Sequence, residues 1–150
     1  MKTVRGVKIY NDNNATTPDA TIAALYALGS SPASLHSKLV TGRSGKNKNI
    51  ILILGGSDKG LNISKLVKEI PLYCRAVVLL PGVGTKTVKL SDKELKIKKV
   101  ATLRSAVKEA MRFAKKGDIV LFSPAFASFG MFENEYDRGD RFIYEVRKLR

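Results

Sequence analysis

Three apolar runs constrain this chain more than any other feature. They are Ile50-Ile51-Leu52-Ile53-Leu54, Ala76-Val77-Val78-Leu79-Leu80 and Ile119-Val120-Leu121-Phe122. A strand with one wet face alternates apolar and polar residues. A continuous apolar run instead suits a strand covered on both faces, as in a parallel sheet. Each run ends in turn-forming residues: Gly55-Gly56, Pro81-Gly82 and Ser123-Pro124.

Between the runs the period changes from strand to helix. Thr17 is placed to cap a helix that Pro18 opens and Gly29 closes. Ile63 to Ile70 has helical spacing, with Pro71 as its stop. Leu103, Ala106, Val107, Ala110 and Met111 share one face of a third helix, closed by Gly117. Gly139 to Leu149 forms an amphipathic terminal helix. Val7 to Tyr10 alternates as a short strand, and Ile97 to Val100 is a second short one. Thr85 to Glu94 fits helix or loop. Residues 30–48 are polar and rich in Gly, Ser and Lys, which predicts a mobile loop with one helical turn near Leu35 to Leu39. Strands alternating with helices predict an α/β three-layer sandwich with a mostly parallel sheet, folded as one domain.

The 150 residues suffice for one such core, and 44% hydrophobic content is ordinary for a globular chain. No stretch approaches the roughly 18 apolar residues of a membrane span. The first residues, Met1 to Gly6, lack the apolar centre of a signal peptide. A single cysteine, Cys74, excludes an internal disulfide and a Cys-rich zinc site. These features predict a cytoplasmic protein without a membrane partner.

Charge is the unusual quantity. Twenty-seven basic residues stand against 13 acidic ones, a net charge of +14. That excess raises a nucleic-acid reading. Against it, the basic residues are scattered along the chain and do not interleave with aromatics that would stack bases.

Ligands of open α/β sheets sit beyond the carboxyl ends of the strands. The segments there are Asn11 to Thr16, Gly55 to Gly60 and Ser123 to Gly130, all small, polar and turn-forming. On one edge they would offer one Lys, several hydroxyls and many backbone N–H groups. That set suits a carboxylate or a phosphate. Lys59 supplies a point charge, Thr16 and Ser128 directional hydroxyls, and Gly55 and Gly56 close backbone approach. Asn and Asp also cap turns without any ligand.

Other candidates have bland readings. Gly82 to Thr87 mimics part of a phosphate loop, but its spacing is wrong and a plain turn suffices. His36, the only histidine, lies in the polar loop and reads as solvated. Cys74 starts a buried strand and reads as core. No set of residues forms a complete catalytic machine.

The stretches IYNDNNATTPDATIAAL, ILILGGSDKGLNISKL and VLFSPAFASFGMFENEYDRGDRF resemble, in the same order, the C-terminal domain of the Mur ligase family. The third is the most specific and points to the member that adds D-glutamate. The resemblance covers the chain from about Val7 onward. It implies a Rossmann-like domain that presents the amino acid and closes over ATP. The N-terminal UDP-binding domain and the central ATP-binding domain lie outside this chain. The family reaction activates the carboxylate of UDP-N-acetylmuramoyl-L-alanine with ATP and Mg2+, and the amine of D-glutamate then attacks. ATP and Mg2+ are cofactors of the full-length enzyme; this domain alone holds neither and carries no catalytic residue.

By motif match, Thr16 and Lys59 would contact D-glutamate, as would Ser128, Phe129 and backbone near Glu135. Asp12 and Asn14 would lie near the nucleotide. The chain departs from the family pattern in places: Asn14 stands where many relatives have Lys, Gly130 where the motif has Asp, and near Glu135 relatives often have Phe. A Mur-type domain for another amino acid and a basic nucleic-acid-binding α/β module are the alternative readings.

Overall fold

A computed structural model describes residues 1–29, 48–128 and 130–150. The helical turn expected near Leu35 to Leu39, His36 and Phe129 lie outside the described residues.

Six strands and four helices follow one another along the described chain. They are β1 (Lys2–Val4), β2 (Val7–Asn11), α1 (Pro18–Gly29), β3 (Ile50–Leu54), α2 (Ser64–Tyr73), β4 (Cys74–Leu79), β5 (Lys96–Lys99), α3 (Leu103–Phe113), β6 (Ile119–Phe122) and α4 (Glu135–Arg147). A short 3-10 turn, Gly84–Thr87, lies between β4 and β5. The sheet order is β1-β2-β6-β3-β4-β5. Strands β2, β6, β3, β4 and β5 run parallel, and only β1 is antiparallel.

The period of two explains why the apolar runs are continuous. In β3, Ile51 and Ile53 point to one core while Ile50, Leu52 and Leu54 point to the other. β6 divides likewise, with Val120 and Phe122 on one side and Ile119 and Leu121 on the other. Helices α3 and α4 cover the first face through Leu103, Ala106, Val107, Phe142 and Val146. Helices α1 and α2 cover the second through Ile22, Leu25, Leu66 and Ile70. The result is the expected three-layer sandwich, with Cys74 buried in the second core.

Three details differ from the sequence reading. β1 was not expected, because three residues carry no readable period. It forms through a tight hairpin in which Arg5 and Gly6 adopt φ of 51° and 77°. Helix α2 runs past Pro71 to Tyr73. Proline costs an interior helix one N–H bond, and near the end of a helix little remains downstream to break. Helix α4 begins at Glu135, four residues before Gly139. Its first residues, Glu135 and Tyr136, are exposed and the buried residue of that turn, Arg138, is charged, so apolar periodicity cannot mark it. Asn134 caps it, accepting from Asp137 N at 2.9 Å.

Candidate functional site at the carboxyl edge of the sheet

Strands β2, β6 and β3 are neighbours, so the loops that follow them share one edge. Backbone hydrogen bonds stitch these loops together. Asp12 N donates to Phe122 O at 2.8 Å, and Ala125 N to Ala15 O at 2.9 Å. Gly55 N donates to Pro124 O at 3.0 Å. Ser57 and Ala127 exchange bonds of 3.0 and 3.3 Å as an isolated antiparallel bridge. The loop after β6 is therefore the hub on which the other two loops are hung.

The loop between β4 and β5 braces this hub. Gly84 N donates to Gly56 O at 3.0 Å, and Gly56 N to Thr85 Oγ1 at 3.1 Å. The hydroxyl of Thr85 thus holds the Gly-Gly backbone open. The Gly82 to Thr87 stretch is a structural turn, as its spacing implied.

A buried relay fixes Asp12. Thr21 and Ser123 are both 0% exposed. Ser123 Oγ donates to Asp12 Oδ2 at 2.8 Å and lies 2.9 Å from Thr21 Oγ1. The Thr21 hydroxyl in turn donates to the backbone oxygen of Ser123 at 3.3 Å. Burial raises the Asp12 carboxyl above its usual range, and the Ser123 hydroxyl offsets part of that rise.

A second network carries a residue that the sequence reading did not single out. Arg138 on α4 is 0% exposed. Its Nε donates to Asn13 Oδ1 at 2.6 Å, one terminal nitrogen to Asn13 O at 2.9 Å, and the other to Phe126 O at 3.0 Å. Asn13 Nδ2 in turn donates to Glu135 O at 2.5 Å. Burial pushes the guanidinium down to about 10, partly countered by Glu135, so it stays a cation at neutral pH. Gly139 permits this approach, since a Cβ there would lie 3.0 Å from Asn13 Nδ2. A signal existed: Arg138 shares the four-residue spacing of Phe142 and Val146, which points it into the core.

Between the loop after β2 and α4 lies a cleft of about 250 Å³, lined by Asp12, Asn14, Tyr136 and Asp140 among others. Asp12 and Asn14 are thus brought together, with Asp12 half-buried and Asn14 exposed. Thr16, half-buried, stands in the same loop. Ser128 is 5% exposed and lines a recess with Gly55, Gly56 and Arg138. Lys59 is exposed in the loop after β3, where Asp58 Oδ1 accepts from Gly60 N at 2.7 Å to form the turn. Glu135 opens α4, and as a first-turn residue its N–H has no acceptor within the helix. The loops of this edge therefore carry an exposed cation, two hydroxyls and the first-turn amide of α4, groups of the kind that suit carboxylates. Among the described residues no group of three or more His, Cys, Asp or Glu side chains is placed to hold a metal ion. No helix among them is long and apolar enough to cross a membrane.

Such an architecture, a mostly parallel sheet with its polar loops joined at one carboxyl edge, defines a doubly covered α/β domain. The chain belongs to the Mur ligase, glutamate ligase domain family, which it matches over residues 1–126. It is similar to proteins named UDP-N-acetylmuramoylalanine--D-glutamate ligase. It is 36% identical to the one from Acinetobacter baylyi over 149 residues, covering 99% of this chain and 31% of that protein. It is 39% identical to the one from Saccharophagus degradans, covering 96% and 28%. With the one from Pseudomonas aeruginosa it shares 37%, covering 97% and 29%. The chain thus spans somewhat under a third of the length of these relatives.

Proposed function

We propose that the chain is the amino-acid-binding domain of an ATP-dependent ligase that joins D-glutamate to UDP-N-acetylmuramoyl-L-alanine in peptidoglycan synthesis. It would be the third domain of that enzyme and act in the cytoplasm. The single observation that carries this reading is the stitched carboxyl edge, in a chain whose relatives bear the name of that ligase.

In this reading Lys59 neutralises a carboxylate of D-glutamate. Thr16 and Ser128, the backbone at Phe129 and the N–H of Glu135 orient the rest, so the amine faces the activated acyl group. The contribution is positioning: a bound, aligned amine reacts as if at very high local concentration. Asp12 and Asn14 face the nucleotide. The phosphates of ATP and the magnesium ion are assigned to the central domain, as is the UDP-sugar to the other two. ATP supplies the phosphoryl group that activates the acceptor carboxylate. No residue of this domain is assigned a proton transfer.

The test is an NMR titration of the labelled chain with D-glutamate, and with L-glutamate as the control. Shifts concentrated at Thr16, Lys59, Ser128 and Phe129, larger for the D isomer, are expected. Equal responses to the two isomers, or responses confined to other residues, would refute the reading.

A further inference from the structure

Much of the excess positive charge falls in one stretch of the chain. Residues 86–116 hold eleven basic and three acidic side chains, a net +8 of the chain's +14. Strand β5, at the far edge of the sheet, carries Lys96, Lys98 and Lys99, and α3 packs across β4 and β3 with a basic row of its own facing outward.

Helix α3 turns Leu103, Ala106, Val107 and Ala110 into the core. Its exposed side carries Arg104, Lys108 and Arg112 at four-residue spacing. Successive cations are therefore about 6 Å apart along the axis. Lys96 and Lys98 of β5 stand opposite Ala76 and Val78, which face the same core as α3. The two rows meet at Phe113, whose ring centroid lies 6.0 Å from Lys96 Nζ and 5.5 Å from Arg112 Cζ. All three acids of the segment already have cations. Asp92 and Glu94 lie 3.8 and 3.1 Å from Lys48, and Glu109 lies 2.9 Å from Arg112.

Lysines on an edge strand discourage pairing with another sheet, and that accounts for β5. It does not account for the row on α3, which is no strand edge. We propose that the basic face formed by β5 and α3, joined at Phe113, binds the phosphate backbone of a nucleic acid, by charge and without regard to base sequence. A linear row of cations fits a linear polyanion. An anionic bilayer fits less well, because the exposed apolar residue of β5, Ile97, stands opposite Val77 and so faces the other core. Missing stacking aromatics do not count against backbone binding, which phosphates alone sustain. The inference does not depend on the ligase reading.

The test is fluorescence anisotropy with a labelled single-stranded oligonucleotide of about 20 nucleotides. With about four phosphate contacts, affinity falls roughly 10- to 100-fold between 50 and 200 mM salt. Arg104→Glu with Lys108→Glu is expected to weaken binding at least ~10-fold at low salt. Lys65→Glu with Lys68→Glu changes net charge equally on exposed positions of α2, in the opposite layer, and is expected to weaken it no more than ~3-fold. Equal losses from both pairs would reduce the effect to net charge and overturn the proposal. So would no binding at 50 mM salt, or binding to phosphatidylglycerol vesicles and not to the oligonucleotide.

Discussion

Arg138 Nε donates to Asn13 Oδ1 at 2.6 Å, joining positions 125 residues apart. Through this contact the last helix sets the loop that follows β2. Three acceptors depend on Arg138, namely Asn13 Oδ1, Asn13 O and Phe126 O. Arg138→Met keeps much of the volume and removes every donor. Buried acceptors left without partners cost about 1–3 kcal/mol each, offset by no longer burying a cation. The expected net loss is roughly 2–4 kcal/mol, read as a lower urea midpoint. An unchanged midpoint contradicts this account.

Asn13 and Arg138 act as a unit. Asn13→Ala, Arg138→Met and the double variant form a cycle whose coupling is expected at roughly 0.5–3 kcal/mol. Additive effects would mean that the 2.6 Å contact contributes little by itself.

Asp12 predicts a pH dependence with a definite sign. Its folded carboxyl is raised, chiefly by burial. A raised acid binds more protons folded than unfolded, so its stability contribution is full at low pH and declines as pH rises through the folded value. Asp12→Asn removes that decline, and its amide oxygen can still accept from Ser123. The variant's melting temperature relative to wild type is therefore higher at pH 7 than at pH 3. The reverse order would contradict the burial argument.

Lys59 separates binding from folding. It is exposed, and among the described residues it makes no hydrogen bond or ion pair. Lys59→Met is expected to change stability by less than ~0.5 kcal/mol. Losing a charge-assisted contact should weaken the D-glutamate response about 10-fold or more. A variant that unfolds, or binds as before, removes Lys59 from the site.

Gly82 tests the brace beneath the loops. Its φ is +151°, and a Cβ there would meet Gly56 O at 2.1 Å. The three nearest atoms all belong to the Gly56 backbone, so no side chain can swing away. Gly82→Ala should cost at least ~2 kcal/mol, measured by thermal unfolding, and should perturb the amides of Gly55 and Gly56.

Much of the fold is legible in the residues because burial writes itself locally. Ile50 to Leu54 and Ile119 to Phe122 are apolar at every position, and only strands between two helical layers need that. The polar loops beyond them could be found for the same reason. Helix α4 begins four residues before its apolar period because Glu135 and Tyr136 meet solvent and the buried Arg138 is charged. Arg138 was passed over because an arginine is usually exposed, and here backbone carbonyls and an amide make its burial tolerable.

The sequence by itself determined most of the elements, the two-sided burial of the central strands and the polar character of the edge loops. Those follow from the preferences of neighbouring residues. Only the tertiary structure decided that β6 lies between β2 and β3, making one hub of three distant loops. It alone seated Arg138 on Asn13 and brought Lys96 of β5 and Arg112 of α3 together at Phe113. The physical reason is that hydrophobic period records which face of an element is buried. Which distant element covers that face is settled by packing and by the pairing of backbone groups, and no local pattern carries that information.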